Sequence, residues 1–590
     1  MKATTKKILT VICAMFLSMF MFAGCNLIEI NKAKYYNQIV ISVELKDGYG
    51  EDYNDYIEKY TKKDLINAYY NYAYNYVSNG QIKASEGMNY AINNMVNVDL
   101  LYKYIKKNYF DNPNYDIQFT DADRNEVKLK VYDAIQEQIT SLEKEVYEEW
   151  NYNYTNQDDL SEDKVESLRK AYEAYDSKVL MTNIKVDVVV EGSTTEVEKQ
   201  AIILNPNQLT KTYDTRVAGD TFKQQISDPE VSKEAYTRYI KQLQEAAKAE
   251  GTKTGEQEVL NAEIERLTKS YTRSEYISIF EKWYNINYNF TYNAKNNVYI
   301  LNDSVKQAVV DYFKERYTAQ KNQYENDESA YHTAMAGDSI DDIYYHYNSG
   351  NEYMYVSHIL MKFSDAQKAE ITELKNKLSA HKITQENYDA RVKEIANRTV
   401  VTYEINGKKY TSNALEVTNK IKNYVNKAQY KGKTGEELEL ALNERAKLFN
   451  DMIYLYNDDE GIMNKDFAYV VNLDTEVNDK MVKEFADTAR KLNAEQEEGA
   501  LSDMVITEYG VHILYHAGIV KNVVSDINSL TAEDLMSVKT QRSSNKTIFA
   551  KIYDTVATEN YKTAASNFVS NCFEFVNIVK YENRYKDLTK

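Results

Sequence analysis

Six histidines are spread over the 590 residues of the chain, and two of them fall where a strand would hold an imidazole facing inward. In Val356-Ser357-His358-Ile359-Leu360-Met361-Lys362-Phe363 strict alternation puts Val356, His358 and Leu360 on one face and Ser357, Ile359, Met361 and Phe363 on the other. About 150 residues later Thr507-Glu508-Tyr509-Gly510-Val511-His512-Ile513-Leu514-Tyr515 repeats the device, with His512 near the start of a second strand and Gly510 at the turn into it. Imidazole is the side chain that gains and loses a proton nearest neutrality, so two inward rings on two strands point to one site. A mid-strand histidine can equally be a satisfied core residue, and it is the ordered set of residues around the pair that favours a site.

The other residues able to do chemistry offer less. Cys13 lies in the N-terminal apolar run, Cys25 ends it, and Cys572 shares the apolar face of a helical pattern with Phe568, Phe575 and Val576, which reads as a buried, inert thiol. No disulfide pair remains, and the histidines and cysteines lack the paired spacing of a metal site, so neither metal nor cofactor is expected. His332, His346, His381 and His516 read as structural or exposed.

The two histidine strands resemble the signature strands of parvulin-type peptidyl-prolyl isomerases, whose motifs run approximately S-H-I-L and Y-G-x-H-I-I. Between them Asp466-Phe467-Ala468-Tyr469-Val470 stands where that family has G-D-L-G-Y-F, and Met481-Val482-Lys483-Glu484-Phe485 matches a helix with Met and Phe four apart. Gly499-Ala500-Leu501-Ser502-Asp503-Met504-Val505 then leads into the second strand as the family's G-E-x-S-x-P-V does. The resemblance implies a hydrogen-bonded network between His358 and His512, supported by Thr507 and Tyr509. It also implies an Asp466 facing the twisting amide and a prolyl pocket lined by Met481 and Phe485. The glycines around the family's Asp are replaced here by Lys465 and Ala468.

Stepping outward, Lys2, Lys6 and Lys7 precede the apolar run Ile8 to Ala23, a secretory signal in charge and length. Phe22-Ala23-Gly24-Cys25 resembles a bacterial lipobox, which implies cleavage before Cys25, a diacylglyceryl anchor there, and an extracytoplasmic, membrane-anchored protein. The alternative, an uncleaved anchor, also places the bulk outside the cytoplasm. Loss of the three lysines takes the formal charge from −18 to −21, which disfavours nucleic acid and suits basic, unfolded clients.

The length calls for three or four domains. A tether over 25–37 leads to a strand near Gln38 to Leu45, a capping box at Thr61 and Asp64, and a long helix from Ser85. This strand and these helices, over 38–175, resemble by pattern the N-terminal chaperone module of PrsA-type foldase lipoproteins and of the periplasmic chaperone SurA. A β-hairpin insertion is expected over 176–228, helices over 229–350, and the parvulin-like domain over 351–521. That domain carries an insertion at about 365–436: a helical hairpin, then an Asn406-Gly407 β-hairpin. A helical segment over 522–590 would return to the first module. The expected fold is α+β: a mainly helical, discontinuous chaperone-like module closed by a C-terminal helix, plus a parvulin-like domain with a small antiparallel sheet flanked by helices.

Fifty-four tyrosines, clustered at Tyr69 to Tyr76 and Trp283 to Tyr288, read mostly as core, with some lining a groove for extended apolar peptides. The expected function is an extracytoplasmic foldase that isomerises X-Pro bonds in exported proteins. Two alternatives stand beside it: a non-catalytic holdase with a degenerate parvulin domain, and a surface-attachment or solute-binding lipoprotein.

Overall fold

The computed structural model describes residues 32–150, 177–190, 193–216, 229–337, 342–347, 353–405, 408–463, 468–474, 481–523, 526–539 and 546–589. The expected signal sequence and the expected lipidation site Cys25 lie outside them. The chain is α+β, with helices predominating and every strand pairing antiparallel among the described residues. In chain order the strands are β1 (Ile39–Leu45), β2 (Glu58–Thr61), β3 (Val179–Val190), β4 (Ser193–Leu204), β5 (Phe290–Asn293), β6 (Val298–Leu301), β7 (Tyr353–Lys362), β8 (Val400–Ile405), β9 (Lys408–Asn413), β10 (Tyr469–Asn472), β11 (Val505–Ile506), β12 (Gly510–Ile519) and β13 (Val576–Lys580). They form sheets ordered β13-β1-β2, β3-β4-β6-β5, β8-β9 and β10-β7-β12-β11.

Two compact units divide the chain. The first takes its described residues from Met1–Asn156, Thr210–Asn289 and Thr558–Lys590, the second from Gln157–Leu209 and Phe290–Ala557. Among the described residues the chain passes from one unit to the other at 209/210, 289/290 and 557/558.

In the first unit β1 lies between β2 and β13, and its Val40, Ile41 and Val43 are fully buried. The helix Ala84–Ile105 turns Met88, Ile92, Val96 and Leu100 into the same core at four-residue intervals. Thr61 and Asp64 close the expected capping box on the helix Lys62–Tyr72, an arrangement that contributes about 1 kcal/mol. The C-terminal return is made by a strand as well as a helix, since β13 pairs Ile578 with Val43. Val576-Asn577-Ile578-Val579 is rich in β-branched residues, a strand signal that the helical reading of 522–590 passed over. Cys572 is fully buried in this core, and burial pushes its thiol up to about 12. Tyr109, Phe280, Trp283 and Phe568 pack together, whereas Tyr74, Tyr76 and Tyr90 are exposed.

In the second unit β7 is the central strand of its sheet and both of its faces are covered. Ile359, Met361 and Phe363 join Val511, Ile513 and Tyr515 of β12 against the helices Ala414–Val425 and Gly435–Tyr456. Met354, Val356 and Leu514 face the helix Lys483–Glu495 instead. The expected helical hairpin appears as Asp365–Ser379 and Gln385–Asn397, and β8 and β9 pair as expected, while Asn406-Gly407 lies outside the described residues. The helix Ala414–Val425 and the β5-β6 pair were not foreseen.

Gly510 opens β12 where a side chain has no room. A Cβ there would stand 2.2 Å from the Met361 carbonyl oxygen and 2.9 Å from Lys362 Cα, both backbone atoms. Gly510→Ala should therefore destabilise the second unit by about 3 kcal/mol, the upper end for overpacking, because a strand must move rather than a rotamer. Chemical denaturation compared with wild type measures this; a loss below about 0.5 kcal/mol would mean that the strand entry is slack.

Candidate functional site: a histidine pair and its carboxylate

The register of β7 and β12 brings the two histidines together. His358 pairs across with Leu514 and His512 with Leu360, so the imidazoles are diagonal neighbours on one face, within reach for rings. Their Nδ1 atoms meet at 3.1 Å, with ring centroids 5.2 Å apart and planes 21° from parallel. Both side chains are buried. Phe485, on the first turn of Lys483–Glu495, stands at 90° to His358 and 80° to His512, at 5.2 and 5.7 Å, and so closes the apolar side of the pair. Met481 is partly buried against the same cluster.

A carboxylate completes the arrangement. His358 Nε2 lies 2.9 Å from Asp459 Oδ2. That same oxygen accepts the Tyr469 hydroxyl at 3.1 Å, and Oδ1 accepts the Gly461 N–H at 2.9 Å. Burial pushes the Asp459 carboxyl up, but the hydrogen bonds from His358, the Gly461 N–H and the Tyr469 hydroxyl outweigh it and bring it down to about 2. At the other end Thr507 Oγ1 lies 2.8 Å from His512 Nε2 and accepts the Tyr509 N–H at 3.1 Å. Burial first, then the neighbouring His358, holds His512 down to about 3, against a smaller opposing effect from Asp459.

With both rings neutral, one placement of protons satisfies every contact. Ionised Asp459 can only accept, so His358 Nε2 carries hydrogen and its Nδ1 is an acceptor. His512 must then donate through Nδ1, and its Nε2 accepts the Thr507 hydroxyl. The chain runs in one direction, Thr507 to His512 to His358 to Asp459. It reaches solvent at Asp459, whose side chain is 25% exposed against 3% for His358. Thr507, 5% exposed and engaged on both sides, is an orienting group with no access to a substrate as nucleophile.

The geometry thus joins His358, His512, Phe485, Met481 and Thr507, and Tyr509 contributes its backbone N–H while its ring is exposed. Asp466 lies outside the described residues. Asp459 was missed in the sequence because Asn457-Asp458-Asp459-Glu460-Gly461 reads as the polar stop of the preceding helix. The available signal was that Asx residues ahead of a Gly commonly fold their side chains onto nearby backbone. His346 and His516 are buried and His381 is exposed. His332 hydrogen-bonds the Tyr353 hydroxyl at 2.7 Å. Among the described residues no three His, Cys, Asp or Glu side chains gather as a metal would require, and no helix is long and apolar enough to cross a membrane. Comparison with protein-family models, curated proteins and solved structures finds no match to this chain.

Proposed function

We propose that this chain is an extracytoplasmic foldase, lipid-anchored at Cys25, whose second unit catalyses cis-trans isomerisation of X-Pro bonds in exported proteins. The observation that carries the reading is the 3.1 Å meeting of His358 and His512 with Phe485 edge-on to both, on the strands that resemble parvulin-type isomerases.

The reaction needs no nucleophile and no cofactor. Peptide rotation is slow because resonance raises a barrier of ~18–20 kcal/mol, and a catalyst need only favour the twisted amide over the planar one. The partly exposed Met481, backed by the buried Phe485, would offer the apolar surface for the prolyl ring. A carbonyl set against Asp459 would be repelled most while planar, when resonance puts negative charge on its oxygen, and less as the bond twists. The buried histidine chain keeps that carboxylate ionised and in place, in surroundings where its field is little screened.

The mature chain is expected to accelerate exchange of X-Pro peptides, which alone takes tens to hundreds of seconds, and NMR exchange spectroscopy reads the rate directly. Labelled palmitate should enter the wild type and not Cys25→Ser. An uncatalysed rate across several residues before proline would overturn the isomerase assignment. The second reading, a non-catalytic holdase, draws on the exposed Tyr74, Tyr76 and Tyr90, at 41%, 46% and 42%. It predicts suppressed client aggregation with no effect on exchange.

A further inference from the structure

Among the described residues, one edge of β7 is only half covered by a strand. β10 pairs with it from Tyr353 to Val356, and beyond that point the main-chain groups of Leu360 and Lys362 on this edge have no β10 residue opposite. Open edge groups call for partners. The segment after Tyr456 supplies them here, two through side chains and one through its main chain. Asn457 Oδ1 accepts the Leu360 N–H at 2.8 Å, the Asp458 N–H donates to the Leu360 carbonyl at 2.8 Å, and Asp458 Oδ2 accepts the Lys362 N–H at 2.8 Å.

Asn457 does something more. Its Nδ2 donates to the main-chain carbonyl of Asp459 at 2.6 Å. One amide therefore spans from the strand bearing His358 to the residue whose carboxylate accepts the His358 Nε2–H hydrogen bond. We propose that Asn457 is a positioning residue: by tying Asp459 to the edge of β7 it fixes the direction of the proton chain through His358 and His512. The reason is geometric. The Asp459 to His358 contact is 2.9 Å, and a drift of about 1 Å carries it beyond hydrogen-bond range. Without an acceptor-only partner at Nε2, His358 can carry its proton on either nitrogen, and His512 must follow it.

The test uses the full mature chain with 15N-labelled histidine, imidazole signals being assigned through His358→Gln and His512→Gln. In wild type His358 is expected as the Nε2–H tautomer and His512 as the rarer Nδ1–H tautomer. Asn457→Asp keeps the oxygen that caps Leu360 and exchanges the donor to Asp459 for a charged acceptor that cannot hold its carbonyl, so the edge cap stands while the tie is cut. The ratio of Nδ1–H to Nε2–H on His512 should fall at least tenfold. Asn457→Ala should show the same fall with a lower thermal midpoint. A folded Asn457→Asp chain whose His512 stays in the Nδ1–H form overturns the proposal, as does a wild type already in the Nε2–H form. If Asn457→Asp does not fold, the Asn457 donor serves the fold as a whole and not the direction of the proton chain, and the proposal falls. Any effect on prolyl exchange rests on the isomerase reading, whereas the tautomer ratio does not. A variant that shifts the ratio in a chain that never catalyses exchange would separate the two.

Discussion

Asp459→Asn is expected to slow catalysed prolyl exchange about 100-fold while leaving stability within about 1 kcal/mol of wild type. The magnitude follows the cost typical of losing a group that orients a functional histidine. The substitution is almost isosteric, yet it removes the negative charge and allows the donor pattern to reverse. An amide nitrogen facing His358 Nε2 makes that nitrogen an acceptor, so His358 donates to His512 and His512 donates to Thr507. Every hydrogen bond in the chain survives in the opposite sense, which is why folding should be spared. What is lost is the ionised group at the solvent end, 25% exposed and 2.9 Å from His358. Exchange rates over a series of X-Pro peptides, with circular dichroism of the variant, measure this. An unchanged rate in the folded variant would remove Asp459 from the mechanism and leave the apolar surface at Met481, backed by Phe485, as the catalytic surface.

The second large effect is on stability in acid. His512 is held neutral down to about pH 3 in the native state, whereas an unfolded histidine protonates near 6.5. Between those values the unfolded chain binds the additional proton, so native stability falls as pH falls through the window and is unaffected by this group above it. By pH 4 the loss from His512 should reach about 3 kcal/mol. His346 and His516, both brought down to about 4 by burial, act in the same direction between 6.5 and 4. Asp459 adds a separate loss lower down, as pH falls from the ordinary carboxyl value of 3.8 through 2. Urea midpoints of wild type and His512→Gln from pH 7 to pH 4 test this. The wild type should fall steeply and the variant less so, by the share that belongs to His512. Parallel curves would show that His512 charges at its ordinary pKa in the native chain.

Much of this molecule is legible in its residues because much of it rests on local periodicity. The alternation around His358 by itself separates the face carrying Val356 and Leu360 from the face carrying Ile359, Met361 and Phe363, and those faces meet different helices. Thr61 and Asp64, Asn406-Gly407 and the apolar stripe holding Cys572 likewise determine a helix start, a hairpin and a buried thiol within a few residues of themselves. Each is a choice the chain makes over short range, where sequence spacing and spatial spacing coincide. The resemblance to parvulin-type strands reached His358, His512, Phe485 and Thr507 by order along the chain. It did not reach Asp459, Asn457 or the need for glycine at 510. Those depend on register between segments about a hundred residues or more apart: β12 against β7 decides that Gly510 meets the Met361 carbonyl, and the path after Tyr456 decides which of two adjacent aspartates touches His358. The pairing of β13 with β1 is of the same kind. Periodicity tells which face of a strand is buried; only tertiary structure decides which atom lies opposite, because a hydrogen bond tolerates a few tenths of an ångström and a sequence pattern fixes no distance between strands.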